Sequence, residues 1–473
     1  MELWQLDALA QAEKIRKGEV SPTEMIDSAI ARIEKYDPQL GFMVDERFQK
    51  AREEALGELP DGPFKGVPLL LKDAVQMSAG DRYQHGSRYL SQRDYRPSFD
   101  TELVRRYKKA GFIILGRTKV PELTASATTE PLAHGPCRNP WNTQHSTGGS
   151  SGGSACAVAS GMVAVAHAND MGGSIRIPAA SCGLVGLKPS RHRNSTAPYG
   201  NYWEPLIHEH VVSRSVRDSA AVLDCTAGPL PGDLYQVANP NVSWLKSLEK
   251  PLSTKRIGVI TTNPVAASID PQCIQAVEKL GLWLAQQGHQ VESATGEALF
   301  DLNGYTALGT VVNCGVAHNL EQWQSLFSEP ISDLEPANEL AFQQGKETSA
   351  TQLISAVDTL ALWSRDIVNK YADFDLLIMP TLPGPAPELG VVDPSQPLAE
   401  LNSKLAGLSS FTAPFNVSGQ PAISLPLALS DQGLPIGVQI IARFGREDHL
   451  LRLAAQLEQE QPWPSLSPDF RSM

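Results

Sequence analysis

Apolar residues along this chain keep two rhythms, short continuous runs and longer stretches of helical period. The runs Gly66–Asp73 (GVPLLLKD), Gly111–Gly116, Arg256–Ile260, Leu376–Thr381, Ala422–Pro426 and Gly437–Ile441 read as buried strands. Residues 5 to about 57 read as helices. Within them Ser21-Pro22-Thr23-Glu24 supplies a cap residue, a proline at the first helical position and a glutamate three residues on. Ile26, Ile30 and Ile33 then share one face. Helical spacing also covers Asp100–Ala110, the alanine-rich Ser154–Val165, Pro271–Gln287, His449–Glu458 and most of 296–370. Val211–Cys225 reads as a strand entering a helix. This strand–helix alternation predicts an α/β architecture with a largely parallel sheet.

One stretch breaks both rhythms. Ser146–Arg176 holds two glycine-rich turns, Gly148-Gly149-Ser150-Ser151-Gly152-Gly153 and Gly172-Gly173-Ser174. Glycine lets backbone N–H groups approach a ligand closely, and a glycine turn opening a helix suits a negative charge. The phosphate-loop pattern G-x-x-x-x-G-K-[ST] is absent. What the turns offer is three hydroxyls, Ser150, Ser151 and Ser174, among free amides, which fits acyl transfer. A serine nucleophile needs a base. His167 lies in neither turn, whereas Lys72 ends an apolar strand, where desolvation lowers an ammonium pKa toward the range of a general base.

These residues resemble the amidase signature family of serine hydrolases. The resemblance is carried by GGSSGGS, by DMGGSIRIPAASCGLVGLKPS, by the G-V-P-x-x-x-K-D strand, by RNPWN at Arg138–Asn142 and by FTAPFNVSGQPAISLPLALSDQGLPIGVQIIA near the end. It implies an α/β fold with a large twisted mixed sheet, largely parallel, covered by helices on both faces. It also implies a Ser–Ser–Lys triad, with Ser174 as nucleophile, Ser150 as the bridging serine of a cis peptide and Lys72 as base. Ser151 matches a supporting hydroxyl, and the backbone amides of Met171, Gly172, Gly173 and Ser174 match an oxyanion hole. Asp170 and Arg176 are expected to brace the nucleophile turn. Many relatives carry proline where this chain has Thr147, a change expected to loosen the first turn.

Because the C-terminal strands complete a core begun near Phe64, the chain is expected to form one domain over 1–473. Its parts are a helical layer (1–60), the signature core (61–230), a divergent α/β insertion that sets specificity (231–370) and closing strands with a helix (371–473). Glu122, Thr124, Ala125 and Ser126 are candidate pocket walls against a plain structural role for each, and Cys314 in the insertion is a candidate against inert packing. The insertion and the ending look most like the amidases that open cyclic or linear 6-aminohexanoate oligomers. Other readings are the glutaminase component of a transfer-RNA-dependent amidotransferase and an inactive binding protein on the same scaffold. The sequence Arg191-His192-Arg193-Asn194 after the nucleophile departs from the glutaminase pattern, and retention of Lys72, Ser150 and Ser174 speaks against the inactive scaffold.

Composition narrows the partners. A formal charge of −12 with no long basic run argues against nucleic acid and anionic membranes. Six scattered cysteines without C-x-x-C pairs fit reduced thiols and a cytoplasmic setting. No secretory segment or bilayer-length apolar run is visible. The unit at 256–292 lacks G-x-G-x-x-G, so no dinucleotide cofactor is expected. His208-Glu209-His210 lacks a third ligand at zincin spacing. It is therefore expected to be a solvated loop rather than a metal site, with Tyr199, Tyr202 and Trp203 as walls of the substrate mouth. The expected partner is a small-molecule amide, and a homodimer is compatible with the sequence.

Overall fold

Each apolar run named above forms a strand. A computed structural model of the chain describes residues 2–200, 205–263, 265, 268–464 and 466–470. In chain order the strands are β1 (Met43–Glu46), β2 (Pro68–Lys72), β3 (Ile113–Thr118), β4 (Arg138–Asn139), β5 (Asn142–Ser146), β6 (Val165–Asp170), β7 (Val185–Lys188), β8 (His208–Ser213), β9 (Arg256–Val259), β10 (Gln290–Ser293), β11 (Leu376–Pro380), β12 (Ala422–Leu429) and β13 (Pro435–Ala442). β4 and β5 pair as a small ribbon, and the other eleven form one sheet in the order β1-β3-β2-β6-β8-β7-β12-β13-β11-β9-β10.

The sheet is mixed, and its parallel pairs lie in the flanks, in β3-β2-β6 and in β11-β9-β10. From β6 to β11 every neighbour is antiparallel. The parallel weighting read from strand–helix alternation therefore holds in the flanks and not across the centre. There β12 and β13 close as a hairpin, which needs no crossover helix.

Both faces of the sheet are covered. Leu70 joins one core cluster with Ile26, Ile30 and Ile33, while Leu69 and Leu71 join another with Leu103, Val104 and Tyr107. Further along, Leu376 and Ile378 pack with the helix Pro271–Gln286, whereas Leu377 and Met379 pack with the helix Ala350–Lys370. The period of two along each strand thus supplies two apolar surfaces. Among the described residues, no helix is long and apolar enough to cross a membrane.

Three local expectations are corrected. The N-terminal region is not wholly helical: Gly41, at φ 65°, ends the capped helix Pro22–Leu40 and turns the chain into β1 along β3. The alanine-rich helix spans Gly152–Ala159 and stops before Val165, because Gly161 at φ 75° reverses the chain. Val165 instead opens β6. His208-Glu209-His210 is no solvated loop but the start of β8, buried because it pairs between β6 and β7.

The helix Arg176–Cys182, which follows the second glycine turn, lies flush on the sheet because its neighbours lack side chains. A Cβ on Gly186 would sit 2.5 Å from Ala179 Cβ, and one on Gly437 would sit 2.4 Å from Ala180 Cβ. Gly437→Ala is expected to lower unfolding free energy by about 1–3 kcal/mol through overpacking and to reduce turnover by displacing this helix. Chemical denaturation alongside steady-state rates measures both.

Candidate active site

Three segments converge where β2 and β6 lie side by side in the sheet. β2 ends in Lys72, the first glycine turn presents Ser150 and Ser151 before the helix Gly152–Ala159, and β6 runs into the turn that bears Ser174. Lys72 is fully buried, and its Nζ lies 2.7 Å from Ser150 Oγ, 2.5 Å from Asn169 Oδ1 and 3.4 Å from the Asn169 carbonyl. All these partners are neutral. Burial pushes the amine down to about 7, against the pull of Glu209 and Asp170, which favour the charged form. A lysine in this state is largely unprotonated just above neutrality, the form a general base requires.

The first turn is tightly enclosed. The Gly149–Ser150 peptide bond is cis. A Cβ on Gly149 would meet the Thr128 carbonyl oxygen at 2.5 Å, and one on Gly152 would meet the hydroxyls of Thr129 and Thr147 at 2.3 Å. Thr129 and Thr147 donate to the Gly148 carbonyl at 2.9 and 3.2 Å. Thr147 thus hydrogen-bonds within the turn at the position where many relatives carry proline. Ser151 Oγ donates to the Asn169 carbonyl at 3.2 Å, joining the turn to β6.

The second turn is built around Asp170. Its carboxylate accepts the Gly173 and Ile175 amides at 2.7 and 3.2 Å and the Arg176 guanidinium at 2.9 and 3.0 Å. Burial raises this carboxyl's pKa, but Arg176 outweighs that and holds it well below the usual carboxylate range. Arg176 in turn donates to the Thr412 carbonyl and to the side chains of Gln439 and Asn416. Thr412 Oγ1 donates to the Gly172 carbonyl at 2.6 Å. Ser174 is left half-buried at the tip of the turn. Its amide and those of Met171 and Gly172 donate to no described residue. The fourth expected donor differs: the Gly173 amide is already engaged by Asp170, so three of the four expected amides have no described partner.

The expected pocket residues fare unequally. Tyr199 packs against the cluster of Val75, Val120 and Ile207, as Met171 of the second turn does, its hydroxyl donating to the Val75 carbonyl at 3.1 Å. Ala125 and Ser126 line a cavity that also holds Glu122 and Glu335. Glu122 is structural there, accepting from the Glu335 amide and Asn338 Nδ2 at 2.7 and 2.9 Å. Thr124 is buried in the same segment. Cys314 is half-buried on the helix Leu302–Phe327. Tyr202 and Trp203 lie outside the described residues. His208 and His210 bond to different elements, the Leu206 carbonyl at 2.7 Å and Ser219 Oγ at 2.9 Å. Asn169, Glu209, Thr412, Asn416 and Gln439 join the site without being marked as site residues by the sequence. Thr412, Asn416 and Gln439 lie within the C-terminal stretch that carries the family resemblance and Asn169 is one residue before Asp170, whereas Glu209 has no such signal.

The Asp170–Arg176 pair generates a direct test. Asp170→Asn leaves a buried guanidinium facing a neutral group, and breaking such a pair costs about 3–5 kcal/mol. Urea unfolding of the variant is expected to show that loss, with hydrolysis falling as the turn relaxes.

Comparison with known proteins points the same way as the geometry. The family model described as Amidase matches residues 24–451. The chain is 40% identical over 483 aligned residues to the 6-aminohexanoate-cyclic-dimer hydrolase of Paenarthrobacter ureafaciens, covering 99% of this chain and 97% of that protein. It is 35% identical to a putative amidase AmiC of Mycobacterium tuberculosis, covering 98% and 96%. A solved structure of 6-aminohexanoate cyclic dimer hydrolase superposes with a TM-score of 0.94 at 39% identity, covering 99% of each chain. Buried lysine, paired glycine turns and family match agree: this chain belongs to the amidase signature family, hydrolases that act on amide bonds.

Proposed function

We propose that the protein hydrolyses a carboxamide C–N bond through an acyl-enzyme on Ser174, with Ser150 and Lys72 moving the proton. The observation that carries this reading is the 2.7 Å contact between a buried, neutral-partnered Lys72 amine and the Ser150 hydroxyl. Ser174 Oγ attacks the carbonyl carbon as its proton passes to Ser150, whose own proton passes to Lys72. The new C–O bond and the oxyanion form together, and the amides of Met171, Gly172 and Ser174 receive the negative charge. Removing one such donor typically costs about 10²–10³-fold in rate. Collapse breaks the C–N bond, and the leaving amine takes the proton back through Ser150. Water, deprotonated along the same route, then releases the acid and restores Ser174.

The substrate class proposed is an ω-amino-acid oligoamide, cyclic or linear. Support comes from the similarity to the 6-aminohexanoate-cyclic-dimer hydrolase over 99% of this chain. It also comes from the setting of Met171, which packs against the same two apolar clusters as Val312 on the helix Leu302–Phe327. Those shared clusters bring the divergent insertion to the neighbourhood of the nucleophile turn, where it would shape the acyl-binding wall. A panel of primary amides, anilides, glutamine and 6-aminohexanoate oligomers, ranked by kcat/KM, tests the class. Preference for oligoamides is expected, and preference for glutamine would replace this reading with the amidotransferase one.

Two further outcomes test the mechanism. Ser174→Ala is expected to abolish both turnover and covalent labelling by a serine-directed phosphonate; full amide hydrolysis by that variant overturns the nucleophile. Lys72 must be unprotonated to act, so kcat/KM is expected to rise with pH and level off above a midpoint of about 7. A flat profile from pH 5.5 to 8.5 (a window of roughly 1.5 units on either side of neutrality) would remove Lys72 as the base.

A further inference from the structure

Beside Lys72 lie three buried polar side chains that the chemistry above leaves without a role: Asn169, Glu209 and His167. Asn169 and Glu209 stand directly opposite each other in the β6–β8 register. Through one oxygen the Glu209 carboxylate accepts from the Asn169 amide nitrogen at 3.4 Å, and its other oxygen lies 2.7 Å from His167 Nε2. A carboxylate only accepts hydrogen bonds. It therefore fixes the orientation of the Asn169 carboxamide, NH2 toward Glu209 and Oδ1 toward Lys72.

That orientation matters because a neutral amine has two N–H bonds and one lone pair. Asn169 offers two acceptors to the Lys72 nitrogen, Oδ1 at 2.5 Å and the main-chain carbonyl at 3.4 Å. With both N–H bonds taken by Asn169, the lone pair is directed at the third neighbour, Ser150 Oγ, 2.7 Å away. We propose that Glu209, held by His167, acts through the Asn169 carboxamide as a positioning group that keeps the Lys72 lone pair on the Ser150 hydroxyl. Reversing the carboxamide would set its NH2 against an amine N–H and turn the lone pair away from Ser150. This inference rests on the reading of Lys72 as the base.

The charged and titratable groups around the amine come from several elements. Glu209 on β8 and Asp170 on β6 favour the ammonium form. His167 on β6 and His85, in the segment after β2, are pushed toward their neutral forms, first by burial and also by the Lys72 charge. Arg117 on β3 adds to the effect on His167, and Arg176 is bound by Asp170. Removing the Glu209 charge thus makes Lys72 easier to deprotonate.

The test is the pH dependence of kcat and KM for Asn169→Ser, Asn169→Ala, Glu209→Gln and Lys72→Met, with folding of each checked by melting temperature and circular dichroism. Either Asn169 variant is expected to lower plateau kcat by about 10²-fold, the scale of a misplaced catalytic group, with little change in KM. Glu209→Gln keeps an acceptor for Asn169 but loses the charge, so its acid limb is expected to move to lower pH by about half a unit or more. Wild-type kcat and an unmoved limb in folded Asn169→Ser and Glu209→Gln, with Lys72→Met inactive, overturn the positioning role and leave the base intact. Wild-type turnover in Lys72→Met overturns the base, and the positioning role with it.

Discussion

A lysine amine held out of water, with only neutral groups in hydrogen-bond contact, is the condition on which the rest of the site depends. In water this amine would be protonated and useless as a base. Burial beneath the first glycine turn disfavours the charge, and Glu209 and Asp170 restore part of it from a distance. A carboxylate in direct contact would have gone further and locked the ammonium form. Asn169 stands where such a carboxylate would do harm, giving the amine acceptors without adding charge.

The glycine turns are held by different physics. The first is confined sterically, by threonine hydroxyls and the Thr128 backbone packed where side chains would otherwise be. The second is confined electrostatically, by one buried carboxylate that gathers two backbone amides and a guanidinium. Buried pairs of this kind contribute little net stability but fix geometry when every donor and acceptor is satisfied. Arg176 meets that requirement, since its remaining N–H groups reach Thr412, Gln439 and Asn416. Ser174 is thereby presented from a rigid base on a turn that still leaves amides free.

Much of this is legible in the sequence, for identifiable reasons. Lys72, Ser150, Ser151 and Ser174 stand in glycine-rich or apolar surroundings whose local pattern dictates the turn or strand. The strands are legible because their apolar runs are short and end abruptly. What escapes is set by pairing across the sheet. Glu209 faces Asn169 only because β8 returns antiparallel to β6, and an alternating His-Glu-His run looks polar until both its neighbours are known. β1 escapes because its four residues gain strand character only by lying along β3. The overlong helix expected at Ser154–Val165 had a local signal against it, since Ser160-Gly161 already marks its end.

The reach of Arg176 has a consequence for how the protein is made. Asn416 and Gln439 lie 240 and 263 residues further along the chain, yet both side chains complete the shell around the second glycine turn. A ribosome delivers Lys72, Ser150 and Ser174 long before those residues emerge. Until the C-terminal segment arrives, the guanidinium has Asp170 but lacks its other acceptors, and the second glycine turn is without the shell that frames it. Completion of that shell is therefore a late event in biosynthesis, coupled to closure of the whole sheet.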